Sequence, residues 1–239
     1  MAKHNADLLI LHAGELLTCR GPAEGLRGEA LRHVEIIADG AVAVGGGRIL
    51  AVGASAEVMK SWSAPTVLDA TGRLVTPGFV DPHSHLVFGG TRHEEYEAKV
   101  TQRAPARRLD GGIRFTVSKT RETSDTALVK QAMADLDTML LHGTTTLEAK
   151  TGYALDREGE LRLLRLTAGL RHAVDVVPTF LPLHVLPEGY DDRRAEYIDA
   201  AVASLQAASA LAKYCDVSCD PLCFTYDECL RVGNAARAL

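Results

Sequence analysis

Two histidines one residue apart, in Asp81-Pro82-His83-Ser84-His85-Leu86, are the sharpest chemical signal in this sequence. Alternate side chains of an extended strand share a face, so His83 and His85 are expected to project together and Ser84 the opposite way. Paired imidazoles at the C-terminal end of a strand that opens a β/α domain suit a divalent cation, since active sites lie at that face. In a turn the same two rings would only be hydrogen-bonded or solvated. The run before them, Pro77-Gly78-Phe79-Val80-Asp81, favours the strand. Ser84 beside His85 is not a nucleophile–base pair, because strand neighbours face opposite ways.

A second cluster of soft donors comes late, at Cys215, Cys219, Cys223 and Cys229. Three of these approach the spacing of a zinc site, but small buried residues on a strand and a helix account for them as well. Asp216, Cys219 and Asp220 stand near the end of a strand and could add a ligand. Gly45-Gly46-Gly47 is no phosphate cradle, since it joins two strand-like runs and opens no helix.

The elements that must position these groups fall into two stretches. Residues 1–76 read as a small β-sheet or sandwich. Asp7 to Leu17 is one apolar run, and Val34 to Val44 is another, broken by the hairpin signal Asp39-Gly40. Arg48 to Val52 follows the triple glycine, and Thr66 to Leu68 and Arg73 to Val75 flank a turn at Thr71-Gly72. From residue 77 the rhythm becomes strand, loop, helix, repeated. Strands are predicted at Phe79 to Leu86, Thr144 to Ala149, Val174 to Leu181 and Tyr214 to Cys219. Helices are predicted from Ser124 as cap (Leu128, Ala132, Leu136 and Met139 on one face), through Leu163, Leu166 and Leu170, through Ile198, Val202 and Leu205, and from a Thr225…Glu228 capping box. Alternating strands and helices imply α/β with a parallel sheet. Two architectures fit that rhythm, an open doubly wound sheet and a (β/α)8 TIM-like barrel; a barrel typically needs about 250 residues, so four units would be half of one.

Val75-Thr76-Pro77-Gly78-Phe79-Val80-Asp81-Pro82-His83-Ser84-His85-Leu86 resembles the entry strand of the amidohydrolase superfamily. Val87-Phe88-Gly89-Gly90-Thr91-Arg92, Gly111-Gly112-Ile113, Thr120-Arg121, His142-Gly143-Thr144-Thr145-Thr146 and Lys150-Thr151-Gly152-Tyr153 are similar in order and spacing to the imidazolonepropionase family within it. The likeness runs over nearly the whole chain.

The resemblance implies hydrolytic ring opening of 4-imidazolone-5-propanoate to N-formimidoyl-L-glutamate, in histidine degradation, by water on one zinc or iron ion. It implies that His83 and His85 are the first two metal ligands, and that Arg92, Tyr153 and His184 bind substrate. Arg92 would offer a planar fork to the propionate, unless it pairs with Glu94 or Glu95. Tyr153 would donate to a ring carbonyl or carboxylate, unless it only packs on the rim. His184, between Pro182 and Pro187, is on a loop leaving a strand, where a structural role competes.

The family's third metal ligand and catalytic glutamate sit on a fifth strand, and its fourth ligand on the eighth. Both are expected beyond Leu239, so residues 77–239 are expected to be the first half of the barrel, truncated before the fifth strand. No catalytic acid or base is then assigned within the chain. The stretch Gln102 to Leu109 lacks the family's tyrosine, and Pro182-Leu183-His184-Val185 replaces its Gly-Ala-His-Ala. Two alternatives therefore stay open: action on another cyclic amide or imidazole-like substrate, and a catalytically incomplete half-barrel.

Composition bounds the partners. With 46% hydrophobic and 24% charged residues and a net charge of −5, the chain is globular and has no electrostatic footprint for nucleic acid. The longest basic feature, Arg103 with Arg107 and Arg108, is too short for a tail. No run is apolar enough for a membrane span or a signal peptide, so a cytoplasmic protein with reduced thiols and a small-molecule substrate is expected. A half-barrel would leave two open edges, which a homodimer could close.

Overall fold

The computed structural model describes residues 3–22, 24–102 and 112–239. Arg103, Arg107, Arg108, the Arg103–Leu109 stretch and Gly111 of the motifs above lie outside the described residues. The chain divides into two compact units, Met1–Pro77 and Gly78–Leu239.

The first unit comprises β1 (His4–Asn5), β2 (Leu8–Leu17), β3 (Ile36–Gly45), β4 (Arg48–Ala54), α1 (Ser55–Ser61), β5 (Trp62–Ser63), β6 (Thr66–Asp69) and β7 (Leu74–Val75). Strands β4, β3 and β2 form an antiparallel meander. Strands β6 and β7 follow one another along the free edge of β2, both parallel to it. The turn between them closes on the Arg73 N–H to Ala70 carbonyl bond, with Gly72 at φ +70°. Strands β1 and β5 make a separate parallel pair. One apolar cluster joins Leu9, Leu11, Ala41 and Ala43 to Val58 of α1, and a second joins Ala13, Leu16, Val42 and Ala70.

The Asp39-Gly40 turn expectation is corrected, because both residues lie inside β3. Asp39 has φ +47°, and His12, on the facing strand, has φ +59° where the register slips between Ile10 and Ala13. The dipeptide's tolerance of positive φ therefore serves a bulge and not a chain reversal. Gly40 is obligatory there, since a Cβ would sit 2.3 Å from the Leu16 Cβ. Ser55 fastens the bulge: its hydroxyl donates to the Asp39 carbonyl at 2.8 Å and accepts the His12 N–H at 2.9 Å.

The second unit comprises β8 (Phe79–Ser84), α2 (His93–Thr101), α3 (Gly112–Glu122), α4 (Asp125–Leu141), β9 (Thr144–Lys150), α5 (Arg157–Gly169), β10 (Asp175–Leu183), α6 (Arg194–Ala208), β11 (Tyr214–Val217) and α7 (Tyr226–Arg237). Its sheet has the order β11-β10-β9-β8 and is parallel throughout, the arrangement of half a barrel. Leu147 and Ala149 of β9 point to the helical layer and are buried with Leu128, Ala132 and Leu136 of α4 and Leu163 of α5. A second core joins Phe180 and Leu183 of β10 to Ile198 and Leu205 of α6, and to Phe224 and Val232. The caps are as the sequence indicates: the Ser124 side chain accepts from Ala127 N–H, and Thr225 and Glu228 form a reciprocal box.

Two strands are shorter than expected. β8 ends at Ser84, so His85 to Leu86 lie just past it, and β11 ends at Val217, before Cys219. β8 is an edge strand whose register shifts between Asp81 and Ser84, around Pro82, which has no N–H for the ladder.

Candidate active site

The C-terminal ends of the four parallel strands carry the chemistry. Register puts Ser84 beside Ala149, Thr179 beside Lys150, and Leu183 beside Val217. His83 is exposed and His85 half-buried. Their ring centroids are 5.8 Å apart at 68°, so the structure brings the two imidazoles together. Ser84 turns away, its hydroxyl donating to the Glu148 carbonyl at 3.0 Å.

His85 has two further aromatic neighbours. The His184 ring stacks on it with centroids 4.7 Å apart at 13°, and Tyr153 lies at 4.6 Å. Tyr153 meets His184 at 5.3 Å and Phe88 at 5.8 Å. Burial, then the His184 and His83 rings, push the His85 imidazole down to about 3, so it is neutral at neutral pH. Its Nδ1 is buried without a hydrogen-bond partner. In a neutral imidazole one ring nitrogen carries the proton and the other a lone pair.

His184 stands at the exit of β10, with Nδ1 2.8 Å from the Gly152 carbonyl. A carbonyl only accepts, so Nδ1 holds the proton and the neutral ring keeps Nε2 as its free lone pair. Burial also lowers this imidazole. Gly152 has φ +115°, and a Cβ there would lie 2.8 Å from the His184 Nδ1. The motif glycine is thus a seat for the histidine ring.

Arg92 stands apart from the ring cluster. It is exposed at the N-terminal boundary of α2, with a guanidinium nitrogen 3.7 Å from where a Gly112 Cβ would be. Its charge still reaches His184 and Glu95, helping to lower both.

The inner face of the sheet also holds a charged network. The Lys150 ammonium, on a side chain 6% exposed, donates to Glu148 at 2.5 Å and to Asp216 at 2.9 Å. Thr179 donates to the same Glu148 oxygen at 2.8 Å. Burial alone would lower the Lys150 pKa, but the two carboxylates outweigh it and the net shift is upward. Asp216 is therefore committed to a cation already in the chain. The Asp220 carboxylate accepts from Leu222 N–H in a local turn. All five cysteines are free thiols: Cys229 is buried on α7, and Cys219 is exposed. Among the described residues no group of three or more His, Cys, Asp or Glu side chains is arranged to hold a metal ion.

Sequence reasoning missed Glu160. It is 2% exposed, and its carboxylate accepts from Gly152 N–H at 2.6 Å, Ala154 N–H at 2.7 Å and Leu155 N–H at 2.8 Å. Burial raises its pKa, and the hydrogen bonds resist that rise. The signal was available: Glu160 shares the i, i+3, i+4, i+7 stripe of Leu163, Leu164 and Thr167, all buried. A carboxylate in a core stripe must be satisfied by something.

Fold and site together define a β/α protein with a cluster of histidine rings at the C-terminal rim of a parallel sheet. The chain belongs to the amidohydrolase family, whose model matches residues 66–208, more than half of it. It is similar to the imidazolonepropionase of Halobacterium salinarum, 44% identical over 241 residues, which cover 97% of this chain and 55% of that protein. It is also similar to the imidazolonepropionase of Chloroflexus aggregans, 41% identical over 249 residues, covering 98% of this chain and 58% of that one. The chain spans about half the length of the curated relatives it matches. Among solved structures, a variant N-acetyl-D-glucosamine-6-phosphate deacetylase from Mycobacterium smegmatis is 20% identical, over 97% of this chain and 48% of that one, with a TM-score of 0.48.

Proposed function

We propose that this chain supplies the first half of an imidazolonepropionase-type hydrolase site, opening the ring of 4-imidazolone-5-propanoate to N-formimidoyl-L-glutamate in the cytoplasm. The observation that carries the reading is the packed set His83, His85, Tyr153 and His184, with a buried, unpartnered His85 Nδ1 in its midst. A neutral imidazole with an unpartnered buried nitrogen fits a cation, and no hydrogen-bond partner for it stands among the described residues. His83 and His85 would hold one zinc or iron ion. Such an ion, when bound, lowers the pKa of water to about 7.

The remaining roles follow from what each side chain can offer. His184, with Nδ1 committed to Gly152, presents Nε2 as an acceptor to the substrate ring. The Tyr153 hydroxyl can donate to a carbonyl. Arg92 can take the propionate carboxylate with its guanidinium fork. Substrate and cation are the partners proposed, with a second copy of the chain as a means of covering the sheet edges.

Two donors bind a divalent ion weakly compared with the three of a catalytic zinc site. Calorimetric titration of the chain with zinc is expected to give weak one-to-one binding that His85→Ala abolishes and His83→Ala reduces. Binding that survives both changes would remove the metal role. In the same samples the imidazolone is expected to bind, and Arg92→Met to weaken it about tenfold or more, as for loss of a charged hydrogen bond. Binding of hydantoins or lactams in preference to the imidazolone would move the substrate assignment to another cyclic amide.

A further inference from the structure

Glu160 lies on the far side of the 152–155 loop from the histidines, and no role falls to it in the reaction proposed above. Its hydrogen bonds nevertheless converge on the segment that carries Tyr153. Oε2 takes Gly152 N–H, and Oε1 takes both Ala154 N–H and Leu155 N–H. The 152–153 peptide therefore hangs between two pinned ones. Its carbonyl is the one that accepts the His184 Nδ1 proton. Gly152 needs φ +115° to present that carbonyl, and Leu155 is held at φ +56°, a conformation costly for a branched side chain. Three amides anchored on one carboxylate offset that strain. The loop's start is tied as well: Thr151 N–H donates to the Thr179 carbonyl, and its hydroxyl accepts Leu181 N–H.

We propose that Glu160 is a positioning residue for the candidate active site: by clamping the 152–155 loop it fixes the Gly152 carbonyl that dictates the His184 tautomer, and sets Tyr153 against both histidines. The inference rests on the functional reading above only in giving His184 and Tyr153 a ligand to meet. The clamp itself is a property of the apo chain. Glutamine is the discriminating change. It is nearly isosteric, but it has one acceptor oxygen and an NH2 group that must face a backbone N–H. At least one amide loses its acceptor and meets a donor.

The test is nitrogen-15 histidine NMR of the metal-free chain at mildly alkaline pH, where the imidazoles are neutral. The unaltered chain is expected to show His184 as a single Nδ1–H tautomer. Glu160→Gln is expected to convert it to a mixture with the Nε2–H form, with loss of the cross-ring contacts between Tyr153 and His184. A folded Glu160→Gln chain with the single Nδ1–H tautomer intact would overturn the proposal. Should that variant not fold, amide exchange in the unaltered chain decides. Gly152, Ala154 and Leu155 amides are expected to exchange as slowly as the β9 and β10 ladder amides. Exchange at exposed-loop rates would overturn the clamp. Neither measurement uses metal or substrate, so failure of the zinc or imidazolone titrations leaves this inference standing, and the reverse.

Discussion

At the scale of single residues, the inner face of the second unit turns on Lys150. Its ammonium is nearly enclosed, and two carboxylates from different strands converge on it. Replacing it with methionine keeps the stem's packing but leaves Glu148 and Asp216 facing each other. Loss of one partner from a buried ion pair costs roughly 3–5 kcal/mol. Asp216 is 40% exposed and can resolvate, which puts Lys150→Met at the lower end of that range. Urea unfolding at neutral pH measures it, and a loss under about 1 kcal/mol, the size of an exposed pair, would mean the network is a surface feature. The double change with Glu148→Gln is expected to be milder than Lys150→Met alone, since the uncompensated charge goes with it. The reach of sequence reading shows at this same scale. The His83-Ser84-His85 spacing was legible because strand periodicity is local. The Lys150–Asp216 pair spans 66 residues and was not, and Asp216 read as a spare ligand until its partner was visible.

Single elements in this chain are held by their ends. Helix α7 starts with the Thr225–Glu228 box, and Glu228 also accepts from the Arg194 guanidinium of α6 at 2.7 and 3.0 Å. That hydrogen bond, opposed by burial and helped by the Thr225 N–H, holds the Glu228 carboxyl down at about 2, against an ordinary 4.5. A depressed carboxylate contributes stability that is complete above its unfolded pKa and is lost as pH falls through the folded one. Glu228→Gln should therefore be less stable than the parent near neutrality, and the difference should shrink between pH 4.5 and about 2. Parallel stability curves through that window would refute the linkage. Thr225→Ala, which removes the cap and only the smallest of the contacts that hold Glu228 down, is expected to cost about 1 kcal/mol with a much weaker pH dependence. Both cap and box were readable beforehand, since their signals lie within four residues. Asp39-Gly40 was misread because a bulge and a tight turn demand the same positive φ, and only the partner strand tells them apart.

For the molecule as a whole, the outstanding fact is that β8 and β11 stand, among the described residues, at the two edges of the parallel sheet. Four strand–helix repeats made a parallel sheet legible from periodicity, while the choice of a half-barrel over an open doubly wound sheet came from the family resemblance. What meets its edges depends on surfaces that no local pattern records. Val80 and Phe79 on β8 are 63% and 57% exposed, and Tyr214 on β11 is 53% exposed, large side chains on strands paired on one side only among the described residues. Such edges recruit another strand. A two-fold axis would set β11 of one copy beside β8 of the other, twice and in parallel, which completes a closed ring of strands. Sedimentation equilibrium of the 239-residue chain is expected to show a concentration-dependent dimer. Val80→Lys puts a charge on the exposed edge without touching the helical layer, so it should return the chain to monomer with its melting temperature little changed. A parent chain that stays monomeric at every concentration excludes closure by a second copy. A dimer indifferent to Val80→Lys places the contact elsewhere on the molecule.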